Sequence, residues 1–212
     1  MVEGAVLIGE AVAAGWEMVA EFVAPGAEPV SGAEAHDLAE GVLERVASTA
    51  RPQPNLAIVR MPQSAVSLAV ADLVVVADRL ADPGNLGTIL RSSEAAGVDA
   101  VALTPGSVDP YNPKVVRASA GALFHVPVLD ATIAEVRAAG LRLVGTSSHM
   151  GIPHTTADWS GRVAIVLGSE AHGLDAAAEV DEWVRIDHRG RAESLNVAMA
   201  ATLLVFEAAR AR

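Results

Sequence analysis

The chain has 212 residues, of which 51% are hydrophobic, and a formal net charge of -11 at pH 7. This length predicts one large domain, or a large domain with a small one attached. The absence of cysteine excludes disulfides and thiolate metal sites, and with no signal peptide or membrane-length apolar run it predicts a cytoplasmic protein that contacts no membrane. The acidic balance argues against a general nucleic-acid binder, which normally carries a clustered basic surface.

The first 60 residues predict a small α/β unit. Its predicted elements are a helix at residues 5–14, a strand at Met18–Val23, an amphipathic helix at residues 34–50 and a strand at residues 56–59. The stretch that follows contains Met61-Pro62 with polar neighbours and predicts a linker. The predicted division is a small domain at residues 1–60, a linker at residues 61–70 and a large domain at residues 71–212.

In the large domain, short apolar strands alternate with helices. The predicted strands are residues 73–77, 100–103, 123–128, 141–145, 163–167 and 183–186. The predicted helices are residues 86–96, 113–118, 132–139 and 195–210. Apolar strands without polar alternation, separated by helices, are typical of a mostly parallel sheet covered on both faces. The pattern alone predicts a doubly wound α/β domain.

Three segments at predicted strand ends carry candidate functional residues. In the first, residues 82–91, we predict a turn and then a helix capped by Asn85. The second, residues 165–174, is a buried strand ending in Gly-Ser-Glu, at the edge where α/β sheets bind ligands. The third, residues 186–196, opens the last helix, for which we predict Ser194 as the N-cap. Each segment alone also fits an ordinary turn, and the dinucleotide, P-loop, nucleophile-elbow and zinc-protease motifs are absent.

In this order and spacing, the three segments resemble the motifs of the SpoU/TrmH family of RNA 2'-O-ribose methyltransferases, in the SPOUT superfamily. The first motif, N-x-G-x-x-x-R, is matched by Asn85, Gly87 and Arg91. The second, G-x-E-x-x-G after an apolar strand, is matched by Gly168, Glu170 and Gly173. The third, S-L-N, is matched by Ser194, Leu195 and Asn196.

The resemblance implies an α/β fold with a mostly parallel sheet, a C-terminal trefoil knot and a small N-terminal α/β substrate-binding domain. It also implies a homodimer built on the knot, and S-adenosyl-L-methionine bound in the knotted loops without a metal. Main-chain groups would hold this cofactor near Thr146, Leu167, Gly168, Ile186 and Leu195.

The same resemblance implies the roles of the other motif residues. Arg91 would sit beside the substrate ribose and its phosphate, next to the cofactor of the other subunit. Its role is either the general base or a phosphate clamp, and a guanidinium pKa above roughly 12 favours the clamp. Asn85 and Glu170 would hold Arg91 and the loops in place, while Ser194 and Asn196 would contact substrate or order the site.

Two features depart from the family pattern. Asp187 and His188 follow Ile186 where family members commonly have proline and methionine, which changes the cofactor loop. The N-terminal unit looks like the family's ribosomal-protein-like recognition domain, whose sequence often begins earlier with a basic segment. The chain starts at the equivalent of Val2-Glu3-Gly4, which predicts either a truncated start or different RNA contacts.

The resulting functional prediction is 2'-O-ribose methylation of ribosomal or transfer RNA with S-adenosyl-L-methionine. Two alternatives stay open. The same cofactor chemistry can act on a small molecule or peptide, which the acidic balance favours slightly. A non-catalytic RNA-binding protein can use the same fold, although the intact set of motif residues disfavours it.

Overall fold

The computed structural model describes residues 1–47, 49–62 and 67–212 and divides into two compact units, residues 1–64 and 65–212. The predicted linker at residues 61–70 includes residues 63–66, which lie outside the described residues. Within the described part of the chain, no helix has both the length and the apolar character needed to span a bilayer.

The first unit is a mixed four-stranded sheet with two helices. Its elements are β1 (Val2–Glu3), α1 (Ala5–Ala13), β2 (Met18–Val23), β3 (Ala35–Asp37), α2 (Leu43–Val46) and β4 (Asn55–Val59). The strand order is β1-β4-β2-β3, with β3 parallel to β2 and the other two pairs antiparallel.

The predicted helix at residues 34–50 is wrong in its first half. That half forms β3, which pairs with β2 and places the His36 ring 5.3 Å from the Phe22 ring. Gly41 then adopts φ +77°, a left-handed conformation that interrupts a helix, and only Leu43–Val46 is helical. Residue 48 lies outside the described residues. A tertiary strand pairing therefore overrides the local amphipathic pattern.

The second unit is a seven-stranded sheet covered by helices. Its elements are β5 (Leu73–Ala77), α3 (Pro83–Ala96), β6 (Ala100–Leu103), α4 (Pro113–Ala118), β7 (Val128–Asp130), α5 (Ile133–Ala138), β8 (Arg142–Ser147), β9 (Ile152–Pro153), β10 (Val163–Leu167), β11 (Glu182–Arg185) and α6 (Val197–Arg210). The strand order is β7-β6-β5-β10-β8-β11-β9, and every neighbouring pair is parallel. The predicted parallel sheet is confirmed.

The two central strands, β5 and β10, are buried along their whole length. On one face, Val74, Val76 and Val166 share a core with Val136 of α5. The opposite face is covered by α3 and α6, which pack on each other and on the sheet. Burial on both faces explains why these strands are apolar throughout rather than alternating.

Helix α3 begins three residues earlier than predicted. Asp82 is its N-cap, because the Asp82 carboxylate accepts a hydrogen bond from the Asn85 main-chain N–H at 2.8 Å. Pro83 fits the first turn because its missing N–H and fixed φ suit that position. The prediction that Asn85 caps the helix is therefore wrong, and its side chain is free for another contact.

Helix α6 begins at Val197 rather than at Leu195. Its N-cap is Asn196, whose side-chain oxygen accepts the main-chain N–H groups of Ala198 and Met199. The prediction of Ser194 as the cap is wrong. Residues before Asn196 are consequently outside the helix and belong to a loop.

The predicted strand at residues 123–128 is also wrong. Gly121 turns the chain with φ +100°, and Ala122–Phe124 forms a 3-10 turn whose side chains are buried. Pairing with β6 begins at the Pro127 carbonyl, which accepts the Val101 N–H at 2.9 Å, and β7 follows as the edge strand, so residues 123–126 lie outside the sheet.

Gly87 of the first motif allows α3 and α4 to pack closely. A Cβ at Gly87 would overlap the Ala118 side chain and would lie 2.8 Å from the Ser119 main-chain nitrogen. Only glycine permits this approach, which fixes α3 at the edge of the site.

We expect Gly87→Ala to lower the free energy of unfolding of the second unit by about 1–3 kcal/mol, because α4 must shift to admit a methyl group. Gly9→Ala in α1 is the matched control. A Cβ there meets nothing within 4 Å, so a gain of about 0.5–1 kcal/mol in helix stability is expected. Urea denaturation of both variants measures the two changes. Equal changes in the free energy of unfolding of the two variants would show that the α3–α4 contact does not require glycine at position 87.

Candidate active site

A cavity of about 670 Å³ lies at the carboxyl edge of the parallel sheet. Its walls come from the loops that follow β8, β10 and β11 and from the start of α6. Parallel strands end at the same edge, so segments distant in sequence meet there. The volume suits a cofactor-sized ligand.

The five residues predicted to bind the cofactor all line this cavity: Thr146, Leu167, Gly168, Ile186 and Leu195. Within the described residues, the main-chain N–H and C=O groups of Gly168, Ile186 and Leu195 have no hydrogen-bond partner. Buried main-chain groups are almost always paired, and Gly168 is buried. These groups are therefore available to a ligand, which fits a cofactor recognised by the main chain.

Thr146 and Leu167 are engaged differently. The Thr146 hydroxyl donates to the Val166 carbonyl at 3.0 Å, and the Leu167 carbonyl accepts the Asp78 N–H at 2.8 Å. Both residues shape the cavity wall, and these two polar groups are already used within the fold.

Position 168 requires glycine because the loop that follows it folds back against it. A Cβ there would overlap the main chain of Gly173 and Leu174. The turn is closed by the Gly173 N–H, which donates to the Ser169 carbonyl at 2.8 Å. The spacing of the two glycines in G-x-E-x-x-G thus follows from one tight turn, which presents Glu170 at its tip.

Glu170 accepts three hydrogen bonds from residues at and just before the start of α3. The Ala81 and Asp82 main-chain N–H groups donate at 3.2 and 3.0 Å, and the Asn85 side-chain amide donates at 3.0 Å. Partial burial raises the pKa of Glu170, but these hydrogen bonds outweigh burial and hold the pKa below its ordinary value. The carboxylate is therefore charged at neutral pH and anchors the loop.

Asn85 connects this carboxylate to the third motif. The Asn196 side-chain amide donates to the Asn85 side-chain oxygen at 2.9 Å, while the Asn196 oxygen caps α6. Each of the two side-chain amides thus donates its N–H to one neighbour and accepts a hydrogen bond with its oxygen from another. The hydrogen bonds run from the first turn of α6 through Asn85 to Glu170, and they join all three motifs.

The structure brings four of the five predicted catalytic residues together. Glu170, Ser194 and Asn196 line the cavity, and Asn85 bonds to two of them. Arg91 is not among the lining residues. It lies on the exposed face of α3, and within the described ranges its guanidinium has no hydrogen-bond or ion-pair partner.

The residues that depart from the family pattern are accommodated locally. The Asp187 carboxylate accepts a hydrogen bond from Arg185 Nε at 2.9 Å, and His188 lines the cavity. His149 and His172 line it as well. Across the described residues, no group of three or more histidine, aspartate or glutamate side chains is arranged to hold a metal ion.

Sequence reasoning missed Asp82, which both caps α3 and donates its N–H to Glu170. The signal was present, since aspartate followed by proline is typical of an N-cap and the first helical position. The cavity histidines carried no such signal, because their positions depend on how the loops fold.

The fold and this cavity define an α/β methyltransferase of the SPOUT class. The chain belongs to the SpoU rRNA Methylase family, whose model matches residues 72–206.

Among its relatives is the Bacillus subtilis 23S rRNA (guanosine(2553)-2'-O)-methyltransferase RlmP, 38% identical over 83% of this chain and 73% of that protein. An uncharacterized tRNA/rRNA methyltransferase of Synechocystis is 37% identical over 80% of this chain and 65% of that protein. The crystal structure of the SpoU methyltransferase AviRb from Streptomyces viridochromogenes with its cofactor AdoMet has a TM-score of 0.88 and 30% identity. That match covers 99% of this chain and 88% of AviRb.

We expect Glu170→Gln to weaken binding of S-adenosyl-L-methionine by roughly tenfold or more, because charge-assisted hydrogen bonds are lost and the amide NH₂ opposes other donors. Glu179→Gln is the matched control, since it removes the same charge from an exposed side chain in the same unit. Isothermal titration calorimetry compares the two variants. Unchanged affinity in Glu170→Gln would show that the cavity does not depend on this anchor.

Proposed function

We propose that the chain transfers the methyl group of S-adenosyl-L-methionine to the 2'-hydroxyl of a ribose in RNA, with ribosomal RNA as the substrate. The observation that carries this proposal is the hydrogen-bonded joining of the three family motifs beside a cavity with unpartnered main-chain groups. The named activity of the Bacillus subtilis relative supports ribosomal RNA as the substrate.

In this proposal, Gly168, Ile186 and Leu195 hold the cofactor through their free N–H and C=O groups. When bound, the cofactor supplies a methyl group attached to a positively charged sulfur, and this sulfur is the leaving group, which departs as a neutral thioether. The O–C bond forms as the C–S bond breaks, and the hydroxyl proton passes to water. The protein's contribution is mainly alignment of the hydroxyl with the methyl carbon, which accounts for a large share of such rate enhancements.

The motif residues divide between anchoring and substrate contact. The side chains of Glu170 and Asn85 hydrogen-bond to each other and to neighbouring loops, so both are positioning residues. Ser194 lines the cavity and contacts substrate in this proposal. Arg91 clamps the phosphate beside the target ribose, because a guanidinium binds phosphate oxygens in pairs and resists deprotonation.

Arg91 reaches the site of a second copy of the chain in a homodimer. The exposed face of α6 supports this arrangement, because Met199, Leu203 and Phe206 form an apolar stripe opposite the buried side of the helix. Helix α3 packs beside α6, and Arg91 is exposed on α3. Pairing of two such surfaces buries the stripe and brings Arg91 to the partner's cavity.

Two further parts of the proposal concern the ends of the chain. The C-terminal segment forms a trefoil knot, supported by its path from β11, beyond β8, back to α6 on β10. Residues 1–60 act as the RNA-recognition domain of a cytoplasmic enzyme.

The reaction is tested with purified protein, tritiated S-adenosyl-L-methionine and total RNA from a strain that lacks the gene. We expect label in ribosomal RNA and, after nuclease digestion, a single 2'-O-methylated nucleotide. Label in transfer RNA alone would show that the substrate is transfer RNA and not ribosomal RNA. Cofactor binding without labelled RNA would overturn RNA methylation and favour a small-molecule or peptide acceptor.

Action of Arg91 across subunits is tested with purified heterodimers of Arg91→Ala and Ala200→Phe. Ala200 lines the cavity, so phenylalanine there fills the cofactor volume. Each variant alone is expected to be nearly inactive, with cofactor affinity retained only by Arg91→Ala. The heterodimer has one intact composite site of two and should recover about half of wild-type activity. No recovery would place Arg91 and the cofactor in the same subunit.

A further inference from the structure

A second cavity, of about 1000 Å³, lies on the other side of the Glu170 loop from the cofactor cavity. The two cavities share the wall formed by residues 169–174. A ligand in the second cavity therefore lies one loop away from the cofactor. Among the described residues that line it, Arg79 is the only arginine or lysine.

The main chain of Arg79 has a conformation that normally selects glycine. Its φ is +53°, in the left-handed region, two residues after the end of β5. The conformation is held by the Thr104 hydroxyl, which accepts the Arg79 N–H at 2.9 Å. If this position served only to form the turn, glycine would adopt the same φ with less strain. A strained residue with a side chain at such a position is an indication of function.

The side chain of Arg79 is fixed on one edge and open on the other. Its Nε and Nη2 atoms each lie 3.1 Å from one Asp78 carboxylate oxygen. The other Asp78 oxygen accepts the Thr104 hydroxyl at 2.8 Å, so the buried carboxylate is itself held in place. The Arg79 side chain is 57% exposed, and of the five N–H donors of a guanidinium the Nε–H is hydrogen-bonded to Asp78, while Nη2 is ion-paired with the same oxygen.

We propose that Arg79 binds a backbone phosphate of the substrate RNA in the second cavity, next to the nucleotide that is methylated. The inference rests on the proposed function and extends it to a second contact with the strand. A pre-oriented guanidinium with its outer edge free matches the paired oxygens of a phosphodiester. Asp82, Glu170 and Asp175 also line the cavity, and each of these carboxylates accepts at least one main-chain N–H, which uses part of its acceptor capacity within the fold.

The test uses the full-length protein bound to S-adenosyl-L-methionine and an unmodified 23S rRNA transcript. Filter binding gives the affinity at several salt concentrations, and methyl transfer gives kcat and KM. Arg79→Gln is compared with Arg137→Gln. Arg137 forms the same kind of pair with Asp181, at 2.9 Å, but at the opposite, amino edge of the sheet. Arg79→Lys tests for rescue by a different cation.

We expect Arg79→Gln to weaken RNA binding and raise KM by about five- to tenfold, with kcat and cofactor affinity unchanged. The slope of log affinity against log salt should fall by about 0.7, the value for one lost phosphate contact on a single strand. Arg79→Lys should recover part of both effects. Arg137→Gln should leave RNA binding and the salt slope at wild-type values.

Wild-type RNA affinity and salt slope in Arg79→Gln would overturn the proposal and leave Arg79 a structural pair with Asp78. If Arg79→Gln does not fold, Arg79→Gly replaces it, because glycine removes the backbone strain. If the wild type binds the transcript without methylating it, the proposed function fails while the binding assay still decides the role of Arg79. If the wild type does not bind the transcript, both are overturned.

Discussion

The site depends on one carboxylate at the carboxyl end of the central strand β10. Glu170 accepts hydrogen bonds from the start of α3, and through Asn85 it is linked to the cap of α6. A carboxylate suits this position because its two oxygens accept several donors at once, and its charge strengthens each bond. Three segments that are far apart in sequence thereby have a single relative arrangement, and two of them, the Glu170 loop and the segment that leads into α6, form walls of the cavity.

Close packing of the main chain makes this arrangement possible. Gly168 allows the Glu170 loop to fold back on itself, and Gly87 allows α4 to lie against α3. Both glycines are motif residues without chemistry of their own. Their role is to set distances between main-chain segments, which the hydrogen bonds of Glu170 and Asn85 then fix. A rigid, fully buried pair of strands beneath the site keeps those distances constant.

In our proposal, main-chain groups recognise the cofactor, and this reconciles two features of the composition. It would explain why no dinucleotide fingerprint is needed, since Gly168, Ile186 and Leu195 offer N–H and C=O groups whatever their side chains. Because the cofactor needs no side-chain contacts, the arginine side chains are available to bind RNA. Arg91 and Arg79 act locally at the edges of the site in our proposals, so a chain with a net charge of -11 can still hold a polyanion.

The sequence by itself determined the parallel α/β architecture, most strand positions and the family motifs, because buried strands are apolar throughout and the motif spacing is fixed by tight turns. It did not determine where helices begin, since Asp82, Asn85, Ser194 and Asn196 are all plausible caps and only the three-dimensional contacts select among them. It also failed at residues 34–50, where pairing with β2 outweighs helical periodicity. Only the tertiary structure decided that Asn85 joins Glu170 to Asn196 while Arg91 stays outside its own cavity, because such contacts depend on the meeting of distant strand ends, which local sequence does not encode.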